Sequence, residues 1–170
     1  TLINFTLRPG TEAAFAVVKD YLDYRYNGIP FLVLTGGVGS GKSHLLEAIG
    51  RWFINEEEMF ARYEMVADLL SVLRAAVPEG NLEQKVETYK TYSSLLLDDL
   101  GVERLTDFAL EQLTIIIDYR YRHERPTVFT TNLLEREMVE RLGDRITSRL
   151  FDRRLSQVVV LTASDYRRQP

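Results

Sequence analysis

The chain has 170 residues, 45% apolar and 27% charged, with a formal net charge of −4. That length fits one domain able to bury roughly 68–70% of its unfolded surface, and the absence of cysteine excludes disulfides and thiolate metal sites. The acidic balance, pI near 5.3, argues against a constitutively tight nucleic-acid binder but leaves weak, assembly-dependent or nucleotide-dependent binding open. No apolar run approaches the roughly 18–20 residues needed to span a bilayer, and the N-terminus lacks a signal-peptide pattern, so a cytoplasmic protein is the default expectation.

After Pro9-Gly10, TEAAFAVVKDYLDYRYN is predicted as a helix, with Thr11 a cap and Phe15, Val18 and Leu22 on one face. FLVLT (31–35) is a continuous apolar run, the pattern of a strand buried on both sides. A glycine-rich turn and the helical SHLLEAIGRWFI (43–54) follow. ARYEMV (61–66) reads as a strand, and VADLLSVLRAAV (66–77) and NLEQKVETYKTY (81–92) as helices. SLLLDD (94–99) is another apolar strand, and TDFALEQLTIIIDYRYRHE (106–124) a long helix closed before Pro126. TVFTTN (127–132) and SQVVVLT (156–162) complete the strands. Between them lies RLGDRITSRLFDRR, with Arg141, Arg145, Arg149 and Arg153 at every fourth position. In an unbroken helix these stack on one face at a cost of about 0.2–0.5 kcal/mol per like-charged pair. Either Glu137, Asp144 and Asp152 neutralise that face, or an anionic partner does.

Strands alternating with helices imply an α/β fold with a parallel sheet covered on both sides, whose ligands bind beyond the carboxyl ends of the strands. At the first such end stands GGVGSGKS, comprising Gly36, Gly37, Val38, Gly39, Ser40, Gly41, Lys42 and Ser43. It fits G-x-x-x-x-G-K-[ST] between a strand and a helix, the setting in which backbone N–H groups and a helix N-terminus cradle a polyphosphate. Lys42 would reach the β- and γ-phosphates of ATP, Ser43 would ligate Mg²⁺, and His44 opens the helix beside them. After SLLL come Asp98 and Asp99. A carboxylate at a buried strand tip is costly unless it meets a cation, which assigns Asp98 to the metal side and Asp99 to the attacking water. Two carboxylates capping the next segment is the competing explanation. Asp99 stands where a longer Glu is commoner, which keeps a nucleotide scaffold without hydrolysis in play. Asn132, at the tip of TVFTTN, can position that water or sense the γ-phosphate.

VLTGGVGSGKSHLLEAI, SLLLDDLGVERLTDFALEQLTIIIDYRY, TVFTTN and DRITSRL, in this order, resemble the AAA+ domain of DnaC/DnaI-type helicase loaders, with the IstB transposition ATPases as close relatives. The resemblance covers nearly the whole chain. It implies a P-loop NTPase of the ASCE type: a three-layer αβα sandwich with a central five-stranded parallel sheet and an additional strand between the P-loop strand and Asp98. It implies one AAA+ domain over residues 1–170, with no helical lid after the last strand. It also implies ATP/ADP and Mg²⁺ as cofactors, single-stranded DNA and a replicative helicase as partners, and self-assembly into a spiral or open ring. Arg149 matches the arginine finger that reaches a neighbour's γ-phosphate, and Arg145 a supporting arginine; Arg141 and Arg153 match no role. Arg104, Thr106 and Phe108 fall near the axis and are candidates for DNA, against the alternative that Phe108 is a core residue and Arg104 a solvated charge. Loaders of this type usually carry an N-terminal helicase-gripping domain, so the chain is expected to be a fragment or to bind its partner differently. An IstB-type ATPase recruiting a transposase remains the alternative; a small-molecule P-loop kinase would leave TTN and DRITSRL without a use.

Overall fold

The computed structural model describes residues 10–23, 28–102 and 105–165. Along the chain these are α1 (Glu12–Asp23), β1 (Phe31–Gly36), α2 (Lys42–Asn55), β2 (Ala61–Met65), α3 (Val66–Ala76), α4 (Leu82–Thr91), β3 (Ser94–Asp98), α5 (Asp107–Arg122), β4 (Thr127–Thr131), α6 (Glu135–Leu150) and β5 (Ser156–Leu161). The strands form one five-stranded sheet in the order β2-β3-β4-β1-β5, every pairing parallel. β4 therefore lies between the P-loop strand β1 and the Asp98 strand β3, the additional strand that the resemblance implies.

Side chains of a strand alternate between faces, and β1 divides its apolar run accordingly. Leu32 and Leu34 pack with Val18 and Leu22 of α1 and Leu45, Ile49 and Phe53 of α2. Phe31 and Val33 pack with Leu69 of α3, Val86 of α4, Ile116 of α5 and Ile146 of α6. Two cores, one on each face, make the three layers. Both faces being covered explains why β3 and β4 are buried at every position and why β1 carries a continuous apolar run instead of alternating.

The arginine segment departs from expectation. Gly143 has φ 77 and ψ 164, a conformation that side chains other than glycine rarely adopt, and it divides α6 into two helical pieces. The four arginines therefore do not form one continuous stripe. Arg141 precedes the break and donates to the carbonyls of Gly101 and Val102 at 3.2 and 3.3 Å, tying α6 to the loop after Asp99. Arg145 and Arg149 follow it, and Arg153 lies beyond the helix end. Arg145 and Arg149 are not neutralised by Glu137, Asp144 or Asp152; both pair with Asp118 of α5.

Arg120, in the last turn of α5, is fully buried. Its guanidinium donates to the carbonyls of Tyr89, Lys90 and Tyr92 at 3.1, 3.1 and 2.9 Å, to Pro126 O at 2.7 Å and to Thr127 Oγ1 at 2.8 Å. A cation at the C-terminal carbonyls of α4 satisfies groups that the helix leaves unpaired. Burial, with a smaller contribution from Arg125, lowers its pKa to about 9, so it stays charged at neutral pH. Arg120→Met should lower unfolding free energy on the order of 3–4 kcal/mol, because buried carbonyls left unsatisfied cost about 1–3 kcal/mol each. Urea denaturation checks this, and an unshifted midpoint would contradict the role.

Candidate nucleotide site

Three strand tips converge. β1 runs into the glycine loop, β3 ends at Asp98, and β4 ends at Thr131, which pairs in register with Thr35. The Thr35 hydroxyl donates to Leu133 O at 3.0 Å, which seats the segment containing Asn132 against the start of the loop. Gly41 precedes α2 as its N-terminal cap. Gly39 has φ 71, and a Cβ there would overlap the Asp165 carboxylate, so the loop needs glycine at that point for both backbone and space.

Within the loop, Lys42 Nζ donates to the carbonyls of Gly36 and Gly37 at 2.9 and 2.8 Å. Burial lowers the Lys42 ammonium below the usual lysine range, opposed by the nearby Asp99 and Asp98 carboxylates. Ser40 is 2% exposed, and its Oγ is buried without a hydrogen-bond partner among the described residues. Val38 and His44 are exposed, Val38 near the loop tip and His44 in the first turn of α2.

Across from the loop, Asp98 is buried, and its two oxygens accept from three hydroxyls. Ser43 Oγ donates to Oδ1 at 3.1 Å, Thr130 Oγ1 also donates to Oδ1, and Tyr63 OH donates to Oδ2 at 2.7 Å. Ser43 and Asp98 thus meet although 55 positions separate them. Thr130 also accepts the Asp99 backbone N–H at 2.9 Å. Asp99 has φ 59, a left-handed conformation that costs a non-glycine residue about 1–3 kcal/mol and clusters at functional sites. The Thr130 hydroxyl thereby contacts both acidic residues, Asp98 at its carboxylate and Asp99 at its backbone N–H.

These residues suit a polyphosphate and a hard cation. The buried Ser40 hydroxyl, unpaired among the described residues, and the Lys42 ammonium, bonded to two loop carbonyls, are donors within the glycine loop. Ser43 and Asp98 supply the oxygen ligands that magnesium-type ions prefer.

The remaining candidates fall elsewhere. Arg149 donates to Arg145 O at 2.7 Å, pairs with Asp118, and places its guanidinium 5.5 Å from the centre of the Tyr121 ring. Its side chain is 23% exposed, whereas that of Arg145 is 66% exposed. Thr106 caps α5, accepting from Ala109 N at 3.3 Å. Phe108 is half-buried against the core, which favours its structural alternative over a base-stacking role. Arg104 lies outside the described residues.

Thr130, Tyr63 and Asp118 are the residues that sequence reasoning missed. Thr130 was visible only as one of three polar residues at a strand end, and Tyr63 only as a strand residue. Thr130→Val, nearly isosteric, should leave metal-free ATP affinity intact and lower turnover about tenfold, the scale of losing roughly 1.4 kcal/mol of positioning. Steady-state phosphate release measures this, and wild-type turnover would contradict the positioning role.

The chain resembles known proteins over most of its length. A family model described as IstB-like ATP binding protein matches residues 16–170. A putative ATP-binding protein of insertion sequence IS5376 from Geobacillus stearothermophilus is 31% identical over 171 residues, spanning 96% of this chain and 65% of that one. The replicative helicase loader DnaI of Bacillus subtilis (strain 168) is 29% identical over 133 residues, 76% of this chain and 42% of that one. The crystal structure of the DnaC helicase loader superposes with a TM-score of 0.85 at 24% identity, covering 95% of this chain and 96% of that one. The chain spans about half the length of the curated relatives it matches, from 42% to 57% for three of them. Among the described residues no helix is long and apolar enough to cross a membrane. The chain belongs to the IstB-like ATP-binding protein family, and its fold is that of the AAA+ domain of DnaC-type helicase loaders.

Proposed function

We propose that this chain is the ATPase domain of a helicase loader that assembles on single-stranded DNA with ATP as the switch. The observation that carries the nucleotide part of the reading is the junction of Ser43 on α2 with Asp98 at the tip of β3, beside Lys42, and the likeness to the DnaI and DnaC loaders supports the rest. In it, the glycine loop from Gly36 to Ser43 binds the triphosphate, and Lys42 exchanges its two loop carbonyls for phosphate oxygens. Ser43 and Asp98 would hold Mg²⁺, which supplies charge neutralisation at the phosphates when bound. Asp99, held by Thr130, orients the attacking water, and Asn132 contacts it or the γ-phosphate from the β4 tip.

Arginine from α6 of a neighbouring copy completes the site. Arg145, already largely exposed, stands at the surface. Arg149 reaches a neighbour's phosphate by giving up Asp118, one anion replacing another. A lone protomer is therefore a poor ATPase.

ATP hydrolysis measured with and without single-stranded DNA, over a range of protein concentrations, tests the reading. Turnover per protomer should rise with both concentration and DNA, and DNA affinity should depend on ATP and weaken with salt. Turnover flat against both would overturn it. An IstB-type transposition ATPase is the second reading, favoured by the insertion-sequence relative that covers 96% of this chain. Preference for duplex DNA together with retention of a transposase would select it.

A further inference from the structure

We infer that Tyr63, on the edge strand β2, is a positioning residue that holds the Asp98 carboxylate in its cation-binding orientation. This rests on the nucleotide-site reading above.

The geometry begins with strand parity. Tyr63 pairs in register with Leu96, and Met65 with Asp98. Leu96 packs with the α1/α2 core, and side chains two apart share a face, so Asp98 is turned toward α2, which carries Ser43. Tyr63 lies on that same side, bordering a cleft of about 340 Å³ with Glu47, Gly50, Arg51 and Ile54 of α2. From there its hydroxyl extends to Asp98 Oδ2 at 2.7 Å.

The three donors divide the work unequally. Ser43 and Thr130 both address Oδ1, while Tyr63 is the hydroxyl bonded to Oδ2. When Ser43 turns its lone pairs toward a cation, its hydrogen bond to Oδ1 is surrendered. Thr130 and Tyr63 then remain, one on each oxygen, and together they fix the carboxylate plane. Without the Tyr63 hydroxyl, that plane can rotate about the bond to Cβ. Tyr63 is 41% exposed, so Tyr63→Phe removes one hydroxyl from the surface side of the site while the ring keeps its place.

The experiment measures the anisotropy of a fluorescent ATP analogue titrated with protein, once in EDTA and once in saturating Mg²⁺. The ratio of the two dissociation constants reports how strongly the cation assists nucleotide binding. Tyr63→Phe should keep the EDTA affinity and melting temperature of the wild type, yet reduce that ratio about threefold to tenfold. That is the scale of one hydrogen bond to a charged acceptor, discounted for partial solvent access. An unchanged or increased ratio overturns the assignment, as does an equal loss of affinity in both conditions. Asp98→Asn, run in parallel, separates the two levels. If it also leaves the ratio at the wild-type value, the metal-side reading of Asp98 itself fails. If it abolishes the ratio while Tyr63→Phe does not change it, only the role of Tyr63 falls.

Discussion

Arg149→Ala is expected to abolish the assembly-stimulated part of ATP hydrolysis while leaving nucleotide affinity unchanged. A guanidinium reaching the γ-phosphate neutralises charge that develops only in the transition state, and in well-studied GTPases such a finger is worth about 10³–10⁵ in rate. In the proposed site the nucleotide of the same protomer is held by Gly36–Ser43, which Arg149 does not touch. Inside its own protomer Arg149 instead pairs with Asp118 and caps its pair with the Arg145 carbonyl. Removing it leaves the Asp118 side chain, 7% exposed, with Arg145 as its remaining ionic partner, so a modest loss of stability should accompany the kinetic effect. Phosphate release from the assembled variant, read beside a denaturation curve, separates the two. Full turnover in the assembled variant would remove the finger assignment.

Lys42→Ala is expected to weaken ATP binding itself, by roughly 10- to 100-fold, the value of a charge-assisted hydrogen bond at about 1.5–3 kcal/mol. The ammonium is already desolvated, and its two hydrogen bonds run to Gly36 and Gly37 carbonyls. Isothermal titration with ATP measures the effect. Unaltered affinity would mean that the glycine loop does not hold the triphosphate.

The central strands are legible because burial on both faces writes itself into the chain as apolar or β-branched runs, and FLVLT, SLLLD and TVFTT each form a strand. The glycine loop was legible because its glycines, lysine and serine are contiguous. What adjacency between distant strands creates was not. Tyr63 reaches Asp98 only because β2 pairs with β3, and Thr130 reaches it only because β4 lies on the other side. Neither neighbour relation has a local signature. Arg120 illustrates a different failure. DYRYRHER closes the predicted helix, but nothing in its pattern announces that Arg120 turns inward onto backbone carbonyls. The arginine ladder misled because a four-residue spacing was extended through Gly143, although an isolated glycine inside a helical pattern is itself a warning of a break. Asp118 lay in the same run as Arg120, and nothing local marked it as the anion for Arg145 and Arg149.

Mixing two inactive variants tests the shared site most directly. Arg149→Ala retains an intact glycine loop, and Lys42→Ala retains an intact arginine helix, so a mixed assembly brings one good loop against one good arginine at some of its boundaries. With single-stranded DNA and Mg²⁺-ATP at assembling concentrations, the mixture should recover a measurable fraction of wild-type hydrolysis that neither variant shows alone. A mixture as inactive as its two components, under conditions where both are shown to co-assemble, would mean that each protomer uses its own arginine or none.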